Sequence, residues 1–276
     1  MRPPLTRALL GLVFFAAILV AMGFLVLPIV AIFTHVPVTR LIHEFSNPVV
    51  TDALVVSLKT IVISQIVILL LGTPTAYFLA SRRFPGRSIV VTLVELPIVL
   101  PPAVAGLGLI VAFGRYGLLG STLRFLHIDV SFNQIAVVLA ICLVSGPFYI
   151  RQAIASFEAV DANLIAASRT LGAGSVRTFF RVTLPLAQGG LAAGEAICMA
   201  RGLGEFGATI MFAGSLQGRT QTLPLAVYTE FEANIDVALA ISALLVVISL
   251  AILLSLKATG LWQRARTPLV TGREGA

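Results

Sequence analysis

Residues 156–186 read SFEAVDANLIAASRTLGAGSVRTFFRVTLPL and separate two long apolar runs with a polar, basic stretch. Asp161 is suited to cap a short helix, and Gly172 together with Gly174 is suited to end it. Apolar residues recur at helical spacing along this stretch: Val160, Leu164, Ala167 and Leu171. Such a stripe can face the protein's own core or fit a groove in a soluble partner, and the pattern alone leaves both interpretations open.

Apolar runs dominate the sequence on both sides of this stretch. Of the 276 residues, 58% are hydrophobic and 11% are charged, which is roughly half the charged share of a soluble domain. The runs lie at 8–33, 53–80, 88–113, 134–155, 185–214 and 237–257. Each is long enough to cross ~30 Å of hydrocarbon as a helix, and none alternates as a barrel strand does. They predict an all-α integral membrane protein with about six transmembrane helices.

The positions of lysine and arginine indicate how these helices are oriented. If the N-terminus is cytoplasmic, most of the 19 Lys and Arg residues fall in cytoplasmic segments, as the positive-inside rule requires. We therefore expect both termini to lie in the cytoplasm. The net charge of +7 does not indicate nucleic-acid binding, because the basic residues are scattered between apolar runs and form no single patch.

The spacing within 156–186 resembles the conserved loop of permease subunits of bacterial ABC importers. That loop reads Glu-Ala-Ala, three residues, Gly, nine residues, Ile-x-Leu-Pro, and here 166–168, Gly172 and 182–185 fall at the same intervals. The sequence departs from the pattern where Ala166 replaces the glutamate and Ser168 replaces the second alanine. The resemblance implies a coupling helix that docks on an ATPase subunit, through Asp161, Leu164, Ala166, Ala167, Ser168, Leu171 and Gly172.

Two further segments resemble permeases of molybdate importers. They are LPIVLPPAVAGLGLIVAFGRYGLLG, residues 96–120, and GEFGATIMFAGSLQGRTQTLPLAVY, residues 204–228. The resemblance implies a type I ABC importer permease fold in a bacterial inner membrane. It also implies a homodimer that works with two ABC ATPase subunits and an extracytoplasmic molybdate-binding protein. The expected substrate is molybdate or tungstate, the alternative is sulfate or thiosulfate, and a rival of another class is a self-sufficient channel.

Ionisable residues inside the predicted spans are candidates for a role in transport or packing. Each would cost about 2.5–3.5 kcal/mol at the centre of a lone membrane helix, so each is expected to face protein or water. Arg201 and Glu205 are spaced i, i+4 and can form a pair. Proline disturbs a helix, and glycine allows a close crossing or a local break. The residues expected to line the pore or to pack the helices are Glu95, Pro101, Pro102, Arg201, Gly204, Glu205 and Gly207.

The sequence contains no GxxxxGK[ST] phosphate-binding loop. We therefore expect that the chain is not an enzyme and binds no cofactor, and that a partner ATPase uses ATP and Mg. The predicted organisation is one transmembrane domain, residues 1–263, which carries the coupling loop 156–184, followed by a cytoplasmic tail at 264–276.

Overall fold

The computed structural model describes residues 4–35, 39 and 43–258, and the predicted tail 264–276 lies outside them. The described chain is helical, with no strand in those ranges. The long and medium helices are α1 (Pro4–His35), α2 (Pro48–Ser81), α3 (Arg87–Val99), α4 (Pro102–Phe113), α6 (Gln134–Glu158), α9 (Leu184–Leu203), α11 (Leu223–Ala233) and α12 (Ile235–Ala258). The short ones are α5 (Gly120–Phe125), α7 (Ala162–Thr170), α8 (Ser175–Thr178), a π-helix (Phe179–Thr183) and α10 (Gly207–Ala213).

Four of these helices are long and apolar enough to cross a membrane as single pieces: α1, α2, α6 and α12. Two further spans are bent pairs. Helices α3 and α4 meet at 115°, and the continuous helix from Ser175 to Leu203 meets α10 at 58°. Counting each pair as one span gives six, which agrees with the number expected. Both breaks fall in the runs 88–113 and 185–214, next to the prolines and glycines that the sequence analysis associates with a disturbed or broken helix.

The first break follows from the local sequence. Pro101 and Pro102 have no backbone N–H to continue α3, and a residue that precedes proline avoids the helical region. Leu100 accordingly adopts an extended conformation, with φ −65° and ψ 135°. The new helix α4 then begins at Pro102, where proline is favourable because the first helical N–H groups have no partner anyway.

Helix α6 lies at the centre of the fold, against α2, α9 and α10. Its contact with α9 is close because α9 presents glycines. A Cβ at Gly194 would lie 2.9 Å from Cβ of Gln152, and a Cβ at Gly190 would lie 2.0 Å from Oγ of Ser156. Small residues of this kind let membrane helices approach until their backbones nearly touch, so α6 and α9 form a closely packed pair.

Helix α1 lies at the edge of the bundle, where its main contact is with α12. None of the residues in its most apolar window is buried. Leucine and phenylalanine side chains therefore stand free along its length, for example Phe24, which is 76% exposed. An uncovered apolar helix of 32 residues is stable in lipid and unfavourable in water.

Candidate functional site

A short helix, α7, lies where the sequence predicts one, with the ends that the sequence predicts. The carboxylate of Asp161 accepts a hydrogen bond from the backbone N–H of Asn163 at 2.8 Å, which satisfies one of the free donors of the first turn. Gly172 ends the helix with a φ of +81°, a left-handed conformation that favours glycine. Ala173 N–H donates back to the carbonyl of Ser168 at 3.1 Å, as expected at such a terminus.

The apolar stripe is uncovered over α7 and its C-terminal end. Leu164 is 43% exposed and Leu171 is 88% exposed, and no residue of α7 is buried. Further along the chain, Val176 is 72% exposed and Phe180 is 60% exposed. Of the predicted stripe, Val160 packs against a core cluster, whereas Leu164, Ala167 and Leu171 are exposed. Four large apolar side chains stand free between α6 and α9, and we call residues 161–183 the docking segment.

One face of α7 is attached to the helix that follows it. Oγ of Ser168 lies 2.9 Å from Oγ1 of Thr178, and Thr178 is 1% exposed. Ser168 also donates to the carbonyl of Ile165 at 3.0 Å. Ser168 is one of the two departures from the family pattern, and in this chain its hydroxyl anchors α7 to α8. The other departure, Ala166, lies exposed on α7.

Basic residues adjoin the exposed apolar side chains of the docking segment. A shallow groove of about 560 Å³ is lined by Val176 and Phe180 together with Arg177 and Arg181. The groove is lined by residues of α8 and of the π-helix, which leads into α9. The surface therefore combines apolar side chains with positive charge, a combination suited to a protein partner that carries an acidic rim.

The two helix breaks lie against each other. A Cβ at Gly207 would lie 2.6 Å from Cβ of Pro102, so only glycine fits there. One turn further along, a Cβ at Gly106 would lie 2.7 Å from Cβ of Met211 and 2.8 Å from the carbonyl oxygen of Ala208. We call this contact between α4 and α10 the crossing. It joins candidates that are about a hundred positions apart in the sequence.

Glu205 fills the gap between α9 and α10. Its side chain is 1% exposed, and Oε1 accepts a hydrogen bond from Ala208 N–H at 2.7 Å. Nη1 of Arg201 lies 2.9 Å from Oε2, an ion pair that lacks the alignment of a regular hydrogen bond. Glu205 thus caps the positive end of α10 and neutralises a membrane-embedded arginine. The predicted pair forms, although α9 ends at Leu203 and Gly204 is its C-cap, so the two residues do not share one helix.

Glu95 lies apart from the crossing. Its carboxylate is 3.5 Å from Nε of Arg151, with the two side chains 36% and 68% exposed. A second ion pair between the same elements joins Arg87 at the start of α3 to Glu158 at the end of α6. These two contacts tie α3 to α6. Among the predicted pore or packing residues, the structure therefore brings together Pro102, Glu205 and Gly207 with their neighbours and leaves Glu95 outside.

Two features were not anticipated from the sequence. The first is the cap that Glu205 makes, which requires a helix that starts at Gly207. The signal that could have suggested it is the position of the Glu205 carboxylate, three residues before Ala208, whose N–H donates to it. The contact of Pro102 with Gly207 carries no local signal, because it depends on how two distant segments pack.

The family of the chain follows from its similarity to known proteins. The sequence of residues 69–267 matches the protein family described as binding-protein-dependent transport system inner membrane component. Because this match covers more than half of the sequence, the chain belongs to that family and is a multi-pass inner membrane component of a transport system.

Similar proteins include permease proteins of a molybdenum transport system and of a sulfate transport system. The molybdenum transport system permease protein ModB of Mycobacterium tuberculosis is 40% identical over 250 residues, which are 90% of this chain and 91% of that protein. The sulfate transport system permease protein CysW of Synechococcus elongatus is 38% identical over 170 residues, which are 60% of this chain and 59% of that protein.

A solved structure confirms the fold. A chain of the bacterial alginate ABC transporter, crystallised with its alginate-bound periplasmic protein, superposes with a TM-score of 0.75 at 16% identity and covers 96% of this chain and 97% of that one. At this identity the likeness concerns the fold, which is that of an ABC transporter permease.

Proposed function

We propose that the chain is the permease subunit of an ABC importer for molybdate or its analogue tungstate. The observation that carries the substrate is the 40% identity to ModB, which extends over nine tenths of both chains. The relative that transports sulfate matches a shorter part, 60% of this chain. Sulfate is therefore the second candidate substrate, and it has the same tetrahedral dianion chemistry.

The proposed assembly is a homodimer of this chain with two ATPase subunits and an extracytoplasmic binding protein. ATP and Mg belong to the ATPase subunits, and this chain supplies the surface on which they act. The exposed stripe of Leu164, Leu171 and Val176 supports a protein partner at this position, since apolar side chains outside a membrane are favourable only when covered. In this arrangement the docking segment and both termini are cytoplasmic.

A continuous helical path connects the proposed ATPase contact with the crossing. The helix that begins at Ser175 passes through the π-helix and ends at Leu203. Its α9 portion has 20 residues, or about 30 Å at 1.5 Å per residue. Glu205 and Gly207 follow directly. A displacement of the docking segment by the ATPase can therefore reach the crossing through one rigid element, where packed helices allow discrete rearrangements.

The docking role is tested with Leu164→Glu in the complete complex. Burying a charge in an apolar contact is unfavourable, so we expect co-purification of the ATPase to fall at least about tenfold, the size expected when a central interface residue is lost. Membrane insertion should be unchanged, because Leu164 contacts no buried core. The matched control is Ala162→Glu, which is also an exposed position and lies on the opposite face of α7. ATPase retention by Leu164→Glu would contradict the proposal.

The substrate is tested by uptake into proteoliposomes that contain the permease, the ATPase and the binding protein encoded with them. We expect ATP-dependent uptake of molybdate and tungstate, with sulfate competing weakly. Preferential uptake of sulfate would establish the second candidate. Anion flux that persists without ATP or ATPase would identify a self-sufficient channel.

A further inference from the structure

A second cavity lies at the end of the molecule opposite the docking segment. It has a volume of about 830 Å³ and is lined by the end of α4, the loop before α6 and the segment that follows α10. The docking segment follows the last residue of α6, and the loop that lines the cavity precedes its first residue. Helix α6 has 25 residues, so about 37 Å separates the two sites at 1.5 Å per residue. With the docking segment cytoplasmic, this cavity opens to the outside.

The cavity contains two arginines without a partner. Arg115 and Arg219 both line it, and neither guanidinium forms an ion pair or a side-chain hydrogen bond within the described part of the chain. One carboxylate, Asp129, faces the same space, where it accepts a hydrogen bond from Ser131 N–H at 3.2 Å. The lining is therefore positive by one charge, and the Ser131 hydroxyl adds a neutral donor.

The turn that carries Arg115 is held in one conformation by glycine. At Gly114, Gly117 and Gly120 an added Cβ would lie 2.4–2.5 Å from a backbone carbonyl oxygen. No other residue fits at these positions without moving the backbone. Leu118 and Leu119 donate back to the carbonyls of Val111 and Ala112 at 2.8 and 2.9 Å, which folds the turn over the end of α4. Arg115 is thus presented by a rigid turn.

The cavity leads towards the crossing. Its apolar wall consists of Ile110 and Val111 from α4 and Met211 and Phe212 from α10, the same two short helices that meet at Gly106 and Gly207. The cavity and the crossing are therefore built from the same two helices, α4 and α10. Guanidinium groups bind oxyanions through paired N–H donors, and a wide, open cavity binds them weakly enough for release.

We propose that Arg115 and Arg219 form the outer receiving site for a tetrahedral oxyanion dianion as it leaves the binding protein. The proposal rests on the importer function and adds a location for the first contact between permease and substrate. The two guanidinium groups offset the negative charge of the dianion when it leaves the binding protein, and the apolar wall beyond them provides no anchor that would hold the anion.

The test measures anions transported per ATP hydrolysed, in proteoliposomes of the full complex with saturating loaded binding protein. We expect Arg115→Gln with Arg219→Gln to lower this ratio about tenfold or more, the effect of losing one to two charge-assisted hydrogen bonds. Stimulation of ATP hydrolysis by the binding protein should stay near wild type. The double lysine variant keeps the charge and should retain most of the ratio. Lys59→Gln, an exposed cation that does not line the cavity, is the control.

Two results would overturn the receiving site. An unchanged ratio in the double glutamine variant would show that the arginines do not contact the anion. A parallel loss of uptake and of stimulated ATP hydrolysis, with a higher concentration of binding protein needed to saturate the variant, would show that they dock the binding protein instead. If the wild-type complex transports neither molybdate nor sulfate, the proposed importer function is wrong. That outcome can be distinguished from the two results above, because they are measured on variants of a complex that transports.

Discussion

The crossing and the docking segment differ in packing and in exposure, although the continuous helix from Ser175 to Leu203 connects them. At the crossing, Gly106 and Gly207 leave no room for a Cβ, and Glu205 is buried with both oxygens engaged. In the docking segment no residue of α7 is buried, and Leu171 is almost fully exposed. The difference indicates that the chain stabilises its own fold at the crossing, whereas the docking segment contributes little to the core and is the surface for which we propose the ATPase contact.

The largest effect on stability is expected from Glu205→Ala. The substitution removes the cap of α10 and leaves Arg201 without its counter-charge inside the protein. We expect a loss of about 3 kcal/mol, because a hydrogen bond to a charged group contributes roughly 1.5–3 and a helix cap about 1. The measurement is the unfolding temperature of the purified permease in detergent. Glu205→Gln keeps an acceptor for Ala208 N–H and should lose less; equal losses would show that the cap contributes nothing.

A smaller effect is expected from Gly106→Ala, compared with Gly108→Ala two residues away on α4. The first Cβ would collide with Met211 and with the Ala208 carbonyl, whereas the second would meet nothing within 4 Å. Both changes gain the same helix propensity, about 1 kcal/mol, and overpacking costs roughly 1–3 kcal/mol. Gly106→Ala should therefore unfold at a lower temperature than Gly108→Ala in detergent. Identical unfolding temperatures would mean that the crossing is loosely packed.

The smallest effect is expected in the docking segment, from Ser168→Ala. It removes one hydrogen bond and leaves the hydroxyl of Thr178 buried without that partner, at a cost of about 1 kcal/mol. The consequence should be local, with faster hydrogen exchange at α7 and an unchanged unfolding temperature for the rest of the bundle. Ala166→Glu, an exposed position on the same helix, is the control and should leave exchange unaltered. Global destabilisation by Ser168→Ala would mean that α7 belongs to the core.

Much of the fold was predictable because membrane spans depend on local composition. Twenty consecutive apolar residues form a helix in lipid wherever they occur, so the six runs were found in their correct places. The cap at Asp161 and the helix end at Gly172 were also local, since each depends on residues within one turn. The helix breaks were predictable only in part. Pro101 and Pro102 signal a disturbed helix, whereas the angle of 115° between α3 and α4 depends on the helices that α4 packs against.

The sequence by itself determined the class of the protein: a helical membrane component with a polar, striped loop whose spacing matches that of importer permeases. Only the tertiary structure decided which side of that loop is uncovered, and that Pro102 meets Gly207. It also decided that Arg115 and Arg219 share a cavity. Each of these pairs is separated by about a hundred residues, and such contacts arise from the packing of whole helices, which the order of residues along one helix does not encode.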